Sequence, residues 1–470
     1  MSLVRQSLLL GMILSLTTLR ASGGERIDLS PQIKGDSFTH VTIQLDVGGH
    51  NVVKIEGDDK TEGEKDKVTE KKLPISVAAK VAYDERRLAD NNAAAESGAV
   101  VAVRYYDTAE AVIKVDDAGR APKLADDRRL IALAQADDRP TMFCPIAPLS
   151  RDQLDLVDVV GDSFSVDRLL PAKLVAEGDS WTNDAKVMGP LLTLDTVAVC
   201  EVQSVLDGFN ASYAKVRLEG TVHGTADGAA TELDVRGVYL YDRRLQRVTR
   251  LNLAVRENRS IGGATPGLDA VAKLQIVVAP IETSANLDDA TVAKIKDQNH
   301  AFPSDLQFES SPLGFRVKHD RQWYVTAEAR EAVTLRRVDG GELTAQCTLT
   351  TLPSKSEGRQ TTLEQFQKDV TYSLGKSFGE LVSSHEWQNP AGLHCYELVV
   401  RGLVDELPVE WHYYLLAPES GRRMAVTVTV EKTMVDRLAN TDRELVESLQ
   451  LFPPVPATQT AERPSAETVK

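Results

Sequence analysis

Two alternating segments follow one another in the stretch AATELDVRGVYLYDRRLQRVTRLNLAVRE, residues 229–257. Apolar side chains recur at every second position, at Leu233, Val235, Tyr239 and Tyr241 and then at Leu251, Leu253 and Val255. A period of two is typical of a β-strand that buries one of its faces. The stretch therefore predicts a pair of antiparallel strands with one buried and one open face.

Strands of the same kind are predicted on either side of this pair. They lie near residues 195–206, 212–223 and 271–278, and earlier near 38–46, 75–83, 99–106, 109–115 and 129–134. Gly48-Gly49 predicts a tight turn after the strand at 38–46, and Ser150 predicts the start of a short helix. We expect residues 24–280 to form a mainly antiparallel β domain, as a curved sheet or half-barrel.

The last third of the chain mixes strands with helices. Four strands are predicted between residues 314 and 352, followed by a helix over 361–375 that starts at the capping-box pattern Thr361-x-x-Glu364. Four more strands and a final helix carry the pattern to residue 449. We therefore predict an α+β fold class, with a linker at 281–304 and a second domain at 305–452.

The two ends of the chain are expected to lie outside these domains. Arg5 precedes an apolar run from Leu8 to Leu19, and Ala21-Ser22-Gly23 supplies small residues for cleavage, a pattern typical of a signal peptide over 1–23. We expect an exported chain, periplasmic or extracellular; the alternative is a buried first strand or helix. The run is shorter than the roughly 20 residues that span a bilayer, so no stable membrane span is expected. Residues 453–470 predict a disordered tail.

The charge of the chain argues against one class of partner. The 470 residues include 54 Lys and Arg against 69 Asp and Glu, which gives a formal net charge of −15. Because nucleic-acid backbones are themselves negatively charged, we expect no nucleic-acid partner.

The four cysteines predict two disulfides. An even count in an exported chain favours pairing. Four cysteines allow three connectivities, and the domain boundaries favour Cys144–Cys200 and Cys347–Cys395. The alternative is four buried free thiols. Because neither Cys-x-x-Cys nor His-x-x-x-His spacing occurs, we expect no metal site and no cofactor.

Serine hydrolase motifs occur as fragments. Gly375-Lys376-Ser377-Phe378-Gly379 has the letters of a nucleophile elbow, but it follows a helix and precedes a strand, the reverse of the required order. Gly-Asp-Ser occurs at 35–37, 161–163 and 178–180 and resembles part of the Gly-Asp-Ser esterases. In such an enzyme Ser37 would be the nucleophile, His300 its base and Asp297 the residue that orients the base. Because no buried strand precedes Gly35 and the strand pattern is antiparallel, we predict no catalytic residues.

Residues 305–451 resemble the PsbP-like domains of exported bacterial and photosynthetic proteins. The resemblance rests on the order of strands and helices, on Leu313-Gly314-Phe315-Arg316-Val317 with Trp323, and on the ending Glu444-Leu445-Val446-Glu447-Ser448-Leu449. It implies an antiparallel sheet sandwiched by helices and a non-enzymatic binding or accessory role. Residues 25–280 are similar to uncharacterised secreted bacterial proteins at 148–156, 169–171 and 178–181, which implies no function.

These observations favour an exported, non-enzymatic protein that binds a protein partner or an apolar small molecule. The curved sheet of 24–280 would offer a concave face, as in carriers of lipid-like ligands. An esterase-type hydrolase that uses Ser37 or Ser377 and a structural envelope component are the alternatives.

Overall fold

The computed structural model describes residues 25–32, 35–56, 68–88, 99–136, 140–296, 305–355 and 361–455. The predicted signal peptide and residues 456–470 of the predicted tail lie outside these ranges. The helices are α1 Arg151–Val157, α2 Ser163–Val166, α3 Ala185–Leu192, α4 Asp289–Lys296, α5 Leu363–Leu374, α6 Val435–Leu438 and α7 Thr441–Ser448. Within the described ranges, none of them is both long and apolar enough to cross a membrane.

The first part of the chain is dominated by antiparallel strands, as predicted. The strands are β1 Arg26–Asp28, β2 Ser37–Glu56, β3 Val68–Arg87, β4 Val100–Val115, β5 Ala118–Arg120, β6 Leu130–Ala134, β7 Thr141–Phe143, β8 Leu174–Ala176, β9 Ser180–Asn183, β10 Thr196–Phe209, β11 Tyr213–Ala226, β12 Ala229–Asp242, β13 Arg247–Arg259 and β14 Gly267–Ile281. β1 pairs with β8 in a small sheet of their own.

The other twelve strands form one antiparallel sheet. Its order is β7-β6-β4-β3-β2-β14-β13-β12-β11-β10-β9, with β5 beside β4. The pair predicted from residues 229–257 is confirmed as β12 and β13, with Val235 opposite Val255. The first long strand lies at the centre, because β2 pairs with β3 on one side and with β14 on the other.

The turn predicted at Gly48-Gly49 is wrong. β2 runs straight through both glycines, and Gly49 lies opposite Ile75 of β3 and Ala270 of β14. A Cβ atom at Gly49 would collide with the Asp269 carbonyl oxygen. Glycine is required here because the neighbouring backbone approaches closely, a second use of glycine in strands beside turns.

One face of the twelve-stranded sheet, called here the helix-covered face, packs against the segment that contains α1, α2 and α3. Ser150 caps α1 as predicted, and its hydroxyl accepts a hydrogen bond from the Gln153 backbone N–H while the Gln153 side chain accepts one from the Ser150 N–H. Val41, Tyr83 and Ile276 of the sheet share one core with apolar residues of the three helices. The opposite face, called the open face, carries polar side chains along most of its strands. Near β6 it is covered, because Val103, Ala132 and Phe143 pack with Val292 and Ile295 of α4.

The last part of the chain forms two further sheets. Its strands are β15 Leu306–Ser310, β16 Phe315–His319, β17 Trp323–Glu328, β18 Ala332–Asp339, β19 Glu342–Leu352, β20 Phe378–Gln388, β21 His394–Val404, β22 Leu407–Ala417, β23 Arg423–Glu431 and β24 Gln450–Leu451. Their orders are β15-β16-β24 and β17-β18-β19-β23-β22-β21-β20. Phe366 and Val370 of α5 pack with Trp411, whereas Leu445 and Val446 of α7 share a core with Phe315. The N-cap of α5 is Thr362, one residue later than the Thr361 that the capping-box pattern predicts.

Polar contacts join the twelve-stranded sheet to the last part of the chain. The Gln307 backbone N–H donates to the Leu149 carbonyl at 2.8 Å. The Arg151 guanidinium lies 4.5 Å from the centre of the Tyr324 ring, and Arg336 donates to the Gly263 carbonyl at 3.0 Å. These contacts involve α1, the residue Leu149 before its N-cap, and the loop between β13 and β14.

Neither predicted disulfide forms, and all four cysteines are free thiols. Cys347 lies on β19 and Cys395 on β21, with β23 and β22 between them. Three strand spacings of about 4.8 Å separate their backbones, roughly twice the distance that a disulfide spans. Cys144 follows β7 at one edge of the twelve-stranded sheet, and Cys200 lies on β10 near the other edge. Three of the thiols are buried, and Cys200 is partly exposed.

Candidate functional site

The helix-covered face of the twelve-stranded sheet is filled by the chain itself. Leu169 is fully buried there, and its carbonyl accepts hydrogen bonds from the Trp181 indole at 2.9 Å and the Tyr239 hydroxyl at 3.0 Å. Met188 and Leu191 of α3 belong to the same core. The apolar side chains of this face therefore pack against the segment that contains α1, α2 and α3, which leaves no room for a ligand.

A buried ionic cluster crosses the same interface. Glu85 of β3 is wholly buried. It accepts hydrogen bonds from Arg104 at 2.9 Å, from Arg87 at 3.0 Å and from the Ser163 hydroxyl at 2.6 Å. Burial alone would raise the pKa of Glu85, but the two guanidinium groups outweigh it and lower that pKa to about 2. Asp162 pairs with Arg104 at 2.7 Å, so the cluster fixes α2 to the sheet.

The predicted hydrolase residues are not brought together in the described ranges. Ser163 of the second Gly-Asp-Ser is fully buried in the ionic cluster, where no substrate can reach it. Ser37 is the first residue of β2 and lies opposite Arg87. Ser377 lies between α5 and β20, as the sequence order predicts. Asp297 and His300 fall outside the described residues, so the esterase alternative stays a prediction.

A groove lined by charged, amide and aliphatic groups runs across the open face of the twelve-stranded sheet. It has a volume of about 690 Å³ and is lined by residues of five neighbouring strands, β2, β14, β13, β12 and β11. A second hollow of about 630 Å³ continues it along β11 and β12, and the two share Glu219, Arg236 and Ala254. Each strand contributes the side chains that alternate with its buried ones.

The charges in this groove, called the open-face groove, follow one row across the sheet, apart from Arg217, which pairs with Asp207. Cross-strand pairing sets Glu219 opposite Arg236, Arg236 opposite Ala254, Ala254 opposite Lys273, and Lys273 opposite Asp46. The small Ala254 side chain leaves a gap between two cations whose strands are about 9.6 Å apart. Neither Arg236 nor Lys273 makes an ion pair within 4.0 Å with another described residue, so both remain able to bind a ligand.

The neighbouring row supplies neutral hydrogen-bonding groups. Asn252 lies opposite Gln275, and Gln275 lies opposite Gln44. Each amide offers both a donor and an acceptor. No aromatic side chain is among the described residues that line the groove, so the groove lacks the stacking surfaces that bases and sugars use. The lining suits a polar ligand that carries both charges and amide groups.

A second group of titratable side chains lies between β22 and α7. His412 contacts Asp442 at 2.5 Å through Nδ1 and Glu410 at 3.0 Å through Nε2. The Tyr414 hydroxyl donates to Asp442 at 2.6 Å and to Glu397 at 3.1 Å. Burial opposes a charged imidazole, but the two carboxylates outweigh it and raise the pKa of His412. These contacts fix α7 to the sheet.

No protein-family model matches the chain, and no curated protein sequence matches it. Similar solved structures cover only parts of it. A Bacteroides thetaiotaomicron protein shares 13% identity over 31% of this chain, with a TM-score of 0.24, and the match spans about half (48%) of that protein. Cyanobacterial PsbP from Synechocystis shares 14% identity over 33% of this chain and 96% of its own, with a TM-score of 0.26. Lipovitellin shares 8% over 54% of this chain and 27% of its own, with a TM-score of 0.28. These partial similarities assign neither a family nor a function.

The residues of the open-face groove carry a weak signal in the sequence. Alternation identifies Arg236, Asn252 and Lys273 as the polar partners of buried neighbours, but every strand of the sheet has such residues. What distinguishes these is the register, which sets Asp46 beside Lys273 although the two are far apart along the chain.

Proposed function

We propose that the chain is a non-enzymatic binding protein that holds a polar segment of a partner protein in the open-face groove. The supporting observation is a groove of about 690 Å³ that combines charged and amide side chains with aliphatic surface from five strands. Four strand spacings of about 4.8 Å make it roughly 19 Å long, the length of about six residues of extended peptide. A peptide supplies the backbone amides and mixed charges that this lining can bind.

The partner is favoured over an apolar ligand for a physical reason. Side chains with full charges lose hydration when an apolar molecule covers them, and nothing in such a molecule replaces the lost hydrogen bonds. The surface that could have held an apolar ligand, the helix-covered face, is packed against α1–α3. A peptide in the open-face groove also displaces water, but its amides and charges replace the lost hydrogen bonds.

Charge reversal in the groove tests the proposal. Short peptides selected from a display library on the purified protein are expected to bind the wild type. The double variant Arg236→Glu/Lys273→Glu should bind them at least about tenfold more weakly, which corresponds to about 1.4 kcal/mol. The reason is that the reversed groups would face Glu219 and Asp46 across the neighbouring strands. Isothermal titration calorimetry measures the affinities.

The matched control reverses two cations on the same face outside the groove. Arg250→Glu/Lys114→Glu changes the net charge equally, and both residues are exposed. An equal loss of affinity in both double variants would show a nonspecific charge effect. Failure to select any binding peptide would favour the structural envelope component instead.

We infer further that the protein is exported and that residues 305–452 form a separate PsbP-like domain after a linker at 281–304. The signal-peptide pattern at residues 1–23 supports export. The two parts have distinct apolar cores, apart from Leu306, which packs in the core of the first part, and this supports the division. Export is expected to yield a mature chain that begins at Gly24. The intact mass of the protein in the host's envelope fraction measures this, and a full-length mass there would contradict it.

A further inference from the structure

Three adjacent strands bring an imidazole and two carboxylates together on the open face of the twelve-stranded sheet. The residues are His40 of β2, Asp84 of β3 and Asp107 of β4, and one ligand atom from each lies within 4.8 Å of the other two. His40 Nδ1 lies 2.8 Å from an oxygen of Asp84. The strands are hydrogen-bonded neighbours, so the backbones that carry the three side chains are held in place.

A β-bulge brings the third residue to the site. His40 is directly opposite Asp84, and such a cross-strand pair is ordinary in an antiparallel sheet. Asp107 is different, because β4 has one residue more than β3 at this point: Tyr83 pairs with Tyr106 and Ala82 with Thr108. The unpaired extra residue is Asp107. Bulges redirect side chains and are frequent next to functional sites.

The pairing of His40 with Asp84 does not explain why Asp107 lies beside them. Its carboxylate makes no hydrogen bond and no ion pair with another residue in the described ranges, although it lies close to a second carboxylate. Two neighbouring carboxylates repel each other unless a cation or a proton lies between them. Asp84 and His40 are only partly exposed, so solvent screens this repulsion incompletely.

We propose that His40, Asp84 and Asp107 bind a divalent transition-metal ion of the Zn²⁺ type. One imidazole nitrogen and two carboxylate oxygens form a donor set that suits Zn²⁺ and its neighbours, whereas Ca²⁺ and Mg²⁺ prefer oxygen ligands throughout. The two carboxylates balance the charge of the ion. Three protein ligands leave a fourth position to water, the arrangement of an open rather than a closed zinc site. The proposal is independent of the open-face groove.

Metal titration of the chelator-treated full chain tests the site. Isothermal titration calorimetry with ZnCl₂ is expected to show one equivalent bound per chain, with CaCl₂ binding far more weakly. Asp107→Asn should weaken Zn²⁺ binding at least tenfold. Because Asp107 is exposed and makes no hydrogen bond or ion pair with another described residue, this variant should keep the circular dichroism spectrum and melting temperature of the wild type. His40→Gln should weaken binding at least as much.

A matched control removes another histidine and carboxylate from the same sheet. His223 and Glu232 form an exposed pair 4.0 Å apart on β11 and β12, and His223→Gln/Glu232→Gln should leave Zn²⁺ affinity unchanged. X-ray absorption of the loaded wild type should show nitrogen and oxygen ligands without sulfur, which separates the site from the partly exposed Cys200. Sulfur ligation, no Zn²⁺ binding, or equal affinity in Asp107→Asn and the wild type would each overturn the proposal.

Discussion

Replacing Glu85 by Ala is expected to lower the free energy of unfolding of the twelve-stranded sheet by about 3–5 kcal/mol. The substitution leaves Arg104, which is only 1% exposed, and Arg87 without their shared carboxylate. Arg104 keeps Asp162 and Arg87 keeps Asp167. Each guanidinium nevertheless keeps the cost of lost hydration while it loses part of the attraction that offset that cost. Ser163 also loses its acceptor, so α2 is held less firmly.

Differential scanning calorimetry measures the effect. For a unit of this size, 3–5 kcal/mol corresponds to a melting temperature lower by roughly 6–20 °C. Glu85→Gln keeps the shape and one acceptor, and it should lie between the wild type and Glu85→Ala. Asp126→Ala removes an exposed carboxylate from its pair with Arg129 and should leave the melting temperature unchanged. If Glu85→Ala has the same melting temperature as the wild type, the cluster is hydrated and its charges are not buried together.

Replacing Asp442 by Ala is expected to destabilise the last part of the chain by about 3 kcal/mol. Asp442 accepts hydrogen bonds from His412 at 2.5 Å and from Tyr414 at 2.6 Å, and both groups are mostly buried. The change removes the polar contacts between the start of α7 and β22. Urea unfolding followed by tryptophan fluorescence reports on this region, because Trp387 packs edge-on against Tyr414.

The same cluster gives this region a pH window of greatest stability. The folded pKa of His412 lies above its usual 6.5, so its contribution is full below pH 6.5 and is lost as the pH rises through the folded pKa. The folded pKa values of Asp442 and Glu410 lie below their usual 3.8 and 4.5. Their contribution is present above those values and is lost as the pH falls through the folded pKa values. Stability is therefore expected to be greatest between about pH 4.5 and 6.5.

His412→Gln separates this effect from other titrations. The variant cannot gain a proton, so the decline of stability above pH 6.5 should become shallower than in the wild type. Tyr414→Phe removes a neighbouring hydrogen bond without removing the imidazole, and it should keep the wild-type pH slope. Equal slopes in His412→Gln and the wild type would show that His412 does not set the upper limit.

Alternation predicted the strands well because burial of one face leaves a period of two in the sequence. That is why residues 229–257 identified β12 and β13. The sequence did not predict what depends on strand order. Cys347 and Cys395 were paired because they fall in the same region, yet β23 and β22 lie between their strands. Glycine is favoured both in tight turns and where neighbouring backbones approach closely. The sequence alone does not distinguish these two uses at Gly49.

The candidate sites were missed for a related reason. Asp107 is the extra residue of a bulge, and a bulge has no fixed sequence pattern. Asp46 and Lys273 face each other only once β2 pairs with β14. His412 and Glu410 alternate with Trp411 along β22 and lie on the face opposite to it. That this face is covered by α7 could not be predicted, because the position of a helix over a sheet depends on distant loops.

The pairing of β2 with β14 determines when the chain can complete its main sheet. Phe38 lies beside Ile281, so a ribosome must pass residue 281 before the first long strand acquires its second neighbour. Until then β2 presents a bare edge, the kind of surface that recruits strands from other chains. A holding chaperone, or passage across a membrane in an extended state, would protect the growing chain during that interval.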